Sequence, residues 1–181
     1  YKGMTNAAKD YGMAIVGGDT SASTAGLVIS VTVVGTVKKE AVARRSTAKM
    51  GDAICVSGVL GGSHAGLKVL MRERKLMLEN LKEDGTIDEN YHPEISEYQD
   101  AVSRHLLPKA RFDIVQLFER RGIVPTSMID ISDGLASEIK HICTESHTGA
   151  LIEENQFPIM SHARHVADEF EEEGTTYALY G

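Results

Sequence analysis

Short apolar runs alternate with glycine-rich and polar breaks along the chain, and their period changes from one stretch to the next. Residues 6–11 are alanine-rich and suit a helix, with Gly12 just past the end, where a left-handed residue is favoured. Met13-Ala14-Ile15-Val16 is an apolar run stopped by Gly17-Gly18-Asp19-Thr20, the pattern of a buried strand entering a loop. Residues 27–34 mix β-branched and small polar residues and give the plainest strand signal. Shorter strands are expected at 53–57, 127–131 and 150–152, and the last residues, 177–181, read as the middle of another. Helical spacing governs the rest. Leu67, Leu70 and Met71 predict a helix over 63–78. Ala110, Ile114, Leu117 and Phe118 form one face of a helix opened by Pro108 and ended by Gly122. Leu135, Ile139, Ile142 and Cys143 mark another, and residues 161–170 a fourth. Residues 81–95 carry Asp, Glu, Asn, Gly and Pro without periodicity and predict an exposed, mobile loop.

Strands adjacent at the start and alternating with helices later favour an α+β or α/β sandwich over a bundle or an all-β fold. The basic stretch from Lys38-Lys39 to Arg44-Arg45, ahead of Gly51-Asp52, reads as a linker between two units. A length of 181 residues suits one domain or parts of two. Nineteen basic against 26 acidic residues leave a net charge of −7, which argues against binding to a nucleic-acid backbone. No apolar run is long enough to cross a membrane as a helix. Cys55 and Cys143 each sit in an apolar stretch, which excludes a disulfide framework and fits a reducing, cytoplasmic setting. The chain starts at Tyr1 without Met or leader and stops within an expected strand, so it reads as part of a longer protein.

Several chemical signatures fail. Gly61-Gly62-Ser63-His64-Ala65-Gly66-Leu67-Lys68 departs from a P-loop, because Leu67 separates the last glycine from Lys68 and Val69 follows. There is no dinucleotide fingerprint, paired-cysteine zinc pattern or zinc-protease helix. His162 and His165 lie three apart on an expected helix, but no third ligand accompanies them. Two segments remain. Gly17-Gly18-Asp19-Thr20 could bring backbone close to a phosphate and a carboxylate to a Mg²⁺ ion, or be a plain turn. Asp130-Ile131-Ser132-Asp133-Gly134-Leu135 stands where a strand gives way to a helix. Ser132 or Asp133 could cap that helix, or the two acids and the hydroxyl could serve Mg²⁺ and a polyphosphate.

These segments follow in order with Arg45-Ser46-Thr47-Ala48-Lys49-Met50-Gly51-Asp52, with Val56-Ser57-Gly58 and Leu60-Gly61-Gly62-Ser63, and with Arg104-His105-Leu106 and Pro108. The series resembles the thiamine-monophosphate kinase family, within the superfamily typified by aminoimidazole ribonucleotide synthetase. The resemblance implies an α+β, two-domain architecture: an N-terminal sheet that pairs into a barrel in a homodimer, and a C-terminal α/β sandwich. Residues 1–46 would be the end of the N-terminal, ATP-binding domain, and 47–181 most of the C-terminal one. It implies direct in-line transfer of the ATP γ-phosphoryl to thiamine monophosphate with Mg²⁺. Tyr1, Gly18, Asp19, Arg45 and Ser132 would contact ATP, and Asp19, Asp130 and Asp133 would hold the metal; no covalent nucleophile is expected. For Arg45 the alternatives are an ordinary linker cation or a shift of its role to Arg44. An upstream acidic metal motif and a thiamine-contacting segment would lie outside residues 1–181. Two other functions stay open: an ATP-dependent synthetase of the aminoimidazole ribonucleotide or selenophosphate type, and a non-catalytic nucleotide-binding module.

Overall fold

Helices are the only extended regular elements in the computed structural model, which describes residues 1–181. They divide between two units, Tyr1–Val42 and Ala43–Gly181, so contacts change four residues before the boundary expected at 46. In the first unit, α1 spans Lys2–Asp10, starting four residues earlier than the alanines suggested. Lys9 in its last turn complements the helix dipole. Gly12 takes φ of 64°, and the Gly12 and Met13 amides donate to the Lys9 and Ala8 carbonyls to close the helix end.

The strands expected at 13–16 and 27–34 do not form. Both segments run without ladder pairing, and residues 27–34 stand exposed, with Leu27 at 88% and Val34 at 90%. A strand is held by hydrogen bonds to a neighbour, and this unit supplies none for these residues. The same correction holds at 53–57, 127–131 and 150–152. Across the chain only three single bridges occur: Arg44 with Ser127, Leu60 with Ile159, and Leu81 with Ile87. The sheet content of the expected α+β fold is therefore not formed within this chain.

The second unit contains six helices: α2 (Gly62–Glu79), α3 (Gln99–Leu106), α4 (Phe112–Arg121), α5 (Leu135–Ser146), α6 (Ser161–Glu169) and α7 (Gly174–Tyr180). Three follow the apolar spacing closely. The helix expected to open at Pro108 begins instead at Phe112, and Gly122 ends it in the left-handed conformation as expected. α3 had no clear apolar period of its own. α7 overturns the expectation of a terminal strand: Tyr177 and Ala178 are buried on one side of a short helix that packs on α2, α5 and α6.

The core gathers Ala65 and Val69 of α2, Ala101 and Val102 of α3, Ala163, Val166 and Ala167 of α6, and Tyr177 of α7. Val69 and Val166 are fully buried, each contributing about 1.5–3 kcal/mol relative to exposure. Gly66 permits the closest crossing, since a Cβ there would stand 2.2 Å from the Ala101 carbonyl oxygen. A second cluster, Leu60, Leu135 and Ala178 with Val56, Ile139 and Leu179, seats the start of α5. Gly134, with φ of 96°, lies so close to the Leu179 carbonyl that a Cβ would meet it at 2.3 Å. The loop entering α5 is thus pinned from behind by α7.

The loop 81–95 is exposed for most of its length, and its form is specific. The Asp84 and Asp88 carboxylates accept from backbone and side chains two residues on, and Lys82 and Asp88 amides donate across the base. Buried Glu73 of α2 anchors its far end, accepting from the Tyr91 hydroxyl at 3.1 Å and the Glu94 amide at 3.1 Å.

Candidate functional site

The Arg44–Thr47 segment is fastened to residues 126–128 by hydrogen bonds that the sequence pattern did not announce. The Thr47 hydroxyl donates to the Thr126 carbonyl at 2.5 Å and the Met128 amide to the Arg44 carbonyl at 3.4 Å. The Arg45 carbonyl accepts from the Ser127 hydroxyl at 3.1 Å and from Ser146, at the end of α5, at 2.8 Å. Asp52 ties the same corner, accepting from the Thr126 hydroxyl at 2.7 Å and the Lys49 amide at 2.8 Å, and these bonds hold its carboxyl below the usual range.

This stapling brings two expected site residues together. The Arg45 guanidinium stands 3.9 Å from the Asp130 carboxylate, with both side chains more than half exposed. Asp130 and Arg45 therefore face solvent as a loose pair, an arrangement open to a third charged group. Residues 45 and 130 are far apart in sequence, and only the resemblance joined them.

Ser132 and Asp133 do not cap α5. Its N-cap is Gly134, which has no side-chain cap. Instead the Ser132 hydroxyl donates to Glu138 Oε1 at 3.3 Å and the Asp133 amide to the same oxygen at 3.4 Å. The capping alternative for these two residues is thereby set aside. Asp130, Ser132 and Asp133 are all exposed, while Glu138 behind them is 4% exposed. Glu138 escaped the sequence reading. It lies six residues after Ser132, longer than the three-residue spacing of a capping box, so no local motif marks it.

In the first unit the Tyr1 hydroxyl is hydrogen-bonded to the Thr20 hydroxyl, next to exposed Gly18 and Asp19. Tyr1 and the Gly17–Gly18–Asp19–Thr20 turn are therefore neighbours within that unit.

No group of three or more His, Cys, Asp or Glu side chains gathers to hold a metal. Oxygen donors are nonetheless present at Asp130, Asp133 and Ser132. Mg²⁺ commonly takes one or two carboxylates and completes its shell with water and phosphate oxygens, so this donor set fits it as a partial shell. His162 and His165 part company, His162 lying 3.8 Å from Asp100 and His165 3.3 Å from Glu169. Lys68 donates to Glu172 at 2.6 Å, in keeping with the failed P-loop match. The more apolar hollow, about 520 Å³ along Ile139, Cys143, Phe157 and Leu179, is lined by none of the expected site residues. Cys55 and Cys143 are both free thiols.

A thiamine-monophosphate kinase of Bacillus subtilis is 32% identical over 184 residues, covering 100% of this chain and 49% of that protein. One from Aquifex aeolicus is 31% identical, covering 100% of this chain and 52% of its own length. The chain is similar over its whole length to thiamine-monophosphate kinases. The family of AIR synthase related proteins, N-terminal domain, matches residues 1–37. A solved structure of AaThiL complexed with AMPPCP and TMP superposes with a TM-score of 0.59 at 29% identity, covering 77% of this chain and 38% of that one. The chain therefore shares the AIR synthase-like fold of these structures, and it spans about half the length of the curated relatives it matches. No helix is long and apolar enough to cross a membrane.

Proposed function

We propose that the protein, at full length, transfers the γ-phosphoryl group of ATP to thiamine monophosphate, giving thiamine diphosphate and ADP. The observation that carries this reading is the similarity over the whole chain to thiamine-monophosphate kinases, together with the likeness over 77% of the chain to AaThiL, which was solved with AMPPCP and TMP. The Arg45–Asp130 pair beside the Ser132–Asp133 loop supports it, because a phosphoryl transfer needs placed charge more than covalent help.

In this reading residues 1–46 complete an ATP-binding domain and residues 47–181 form most of an α/β domain. Arg45, whose guanidinium suits phosphate oxygens, orients the nucleotide polyphosphate. Ser132 offers its hydroxyl to the nucleotide, and Tyr1 and Gly18 line its place in the first unit. Asp19 in the first unit, and Asp130 and Asp133 in the second, are the carboxylates that would hold Mg²⁺, which would supply neutralisation of phosphate charge. An acidic chain thus meets a polyanionic substrate, with Arg45 balancing Asp130 until the nucleotide arrives. The acceptor attacks in line, and no residue of this chain forms a covalent intermediate. The protein acts in the cytoplasm as a homodimer whose exposed 27–34 segments pair in a barrel. Their exposed apolar side chains support that role.

An ADP-release assay on the full-length protein, run in parallel with thiamine monophosphate, thiamine and aminoimidazole precursors, tests the reading. ADP release with thiamine monophosphate alone, and thiamine diphosphate by chromatography, is expected. Turnover of an aminoimidazole precursor, or Mg²⁺-dependent ATP binding without turnover, would replace it with one of the other two readings.

A further inference from the structure

Glu138 is buried in the first turn of α5, directly behind the exposed Asp130–Asp133 loop. One carboxylate oxygen takes both inward-facing hydrogens of that loop, the Ser132 hydroxyl at 3.3 Å and the Asp133 amide at 3.4 Å. The other, Oε2, is buried with no hydrogen-bond partner. Burying a carboxylate oxygen unpaired is costly, and a fold that needed only a helix start could use a smaller or apolar residue at 138. The cost is borne at the one place where two expected site residues turn inward. Gly134, held against the Leu179 carbonyl, allows the loop no retreat on that side.

We propose that Glu138 is a positioning residue: its carboxylate fixes the Ser132 hydroxyl and the Asp133 backbone, so that the exposed Asp130, Ser132 and Asp133 side chains are presented together to a metal-bound polyphosphate. The proposal rests on the functional reading above for the nature of the ligand and on the hydrogen bonds for the role. Partners behind a metal's own ligands commonly set its affinity by about 10–100-fold, and displacement of a reacting group by about 1 Å can cost about 10²-fold.

The test compares Glu138→Met and Glu138→Gln with the unaltered full-length protein. Met fills similar space but accepts no hydrogen bond; Gln keeps an acceptor oxygen in the same place. The readouts are melting temperature, amide exchange at Asp133, and the Mg²⁺ concentration needed for half-maximal AMPPCP binding by calorimetry. Glu138→Met should melt no lower than the unaltered protein, because the unpaired oxygen leaves together with the bonds. It should nevertheless exchange the Asp133 amide faster and need about 10–100-fold more Mg²⁺. Glu138→Gln should recover most of both. An unchanged Mg²⁺ requirement in the Met variant, or a Gln variant as impaired as Met, overturns the proposal. If the Met variant does not fold, the unaltered protein decides: an Asp133 amide that exchanges as fast as a solvent-exposed one overturns it, and a protected amide with recovery in Gln supports it. An unaltered protein that binds no AMPPCP at any Mg²⁺ concentration counts against the functional reading, while the exchange result still judges the role of Glu138.

Discussion

Arg45 and Asp130 form a charge pair with little structural value, of the kind the proposed phosphoryl transfer would use. Their 3.9 Å contact lies in solvent, where an ion pair contributes at most about 1 kcal/mol to stability. Arg45→Ala should therefore leave the melting temperature close to unchanged and raise the KM for ATP far more than that for thiamine monophosphate; an unchanged ATP KM moves the role to Arg44 or removes it. Asp130→Asn should lower kcat by at least about 10²-fold with the fold intact, since placed charge dominates phosphoryl transfer. Steady-state kinetics at saturating Mg²⁺ check this, and near-normal turnover would remove Asp130 from the site. Asp133 follows a different logic. Because Gly134, not Asp133, is the N-cap of α5, Asp133→Ser should change the unfolding free energy by no more than a surface change does, about 0.5 kcal/mol. Its effect should appear in the Mg²⁺ requirement; a large loss of stability instead would restore the capping role. Asp130 and Asp133 stood out in the sequence as acids around a hydroxyl at a helix start, where a cap and a metal site read alike, and only the resemblance favoured the metal. Glu138 did not stand out, because its contacts jump a glycine turn whose geometry only the fold reveals.

The helices were the legible elements, since each carries its own hydrogen bonds and needs only an apolar stripe to find its place. α2, α5 and α6 match their expected spans to within a few residues. α7 escaped because Tyr177-Ala178-Leu179-Tyr180 satisfies either period over so short a run, and the pocket between α2, α5 and α6 decided for a helix. The crossing of α2 and α3 gives a sharp test of this packing. Gly66→Ala puts a methyl 2.2 Å from the Ala101 carbonyl oxygen, backbone against backbone, so the helices must part. A loss of about 1–3 kcal/mol in denaturant unfolding is expected, and a neutral substitution would show that the helices are not in contact there. Buried Glu73 supplies the pH dependence of the same layer. Burial alone would raise its carboxyl, but hydrogen bonds from the Glu94 amide, Arg72 and Tyr91 outweigh that and hold it below its ordinary 4.5. The stabilisation is accordingly present in full above about pH 4.5 and is lost as pH falls through the lowered value. Glu73→Gln should be less stable than the unaltered protein by about 1–3 kcal/mol at pH 7, and the gap should close in thermal melts below about pH 4.5. A gap that widens with acid would mean that the carboxylate is not the favoured form in the fold.

At the scale of the whole molecule, the difference between expectation and structure is a difference between local and non-local order. Residues 27–34 have the strand pattern, yet a strand exists only beside another strand, and nothing in Tyr1–Val42 lies alongside to receive its hydrogen bonds. Pattern can announce such a segment; it cannot announce the neighbour. The consequence is an uncovered apolar row in which Leu27, Val28, Ile29, Val31, Val33 and Val34 are all more than 60% exposed, a segment prone to self-pairing. With a net charge of −7 spread over 181 residues, long-range repulsion between copies is screened beyond roughly 8 Å at physiological salt, too short a reach to keep two such rows apart. The 181-residue chain should therefore associate with rising concentration in sedimentation velocity. Val31→Lys with Val33→Lys places two charges on one face of the row, where neighbouring copies would meet like with like, and should shift the chain to monomer without lowering the melting temperature of the helical unit 43–181. Association that persists unchanged in the double variant would assign it to another surface, and would withdraw the support that this segment lends to a paired-sheet homodimer.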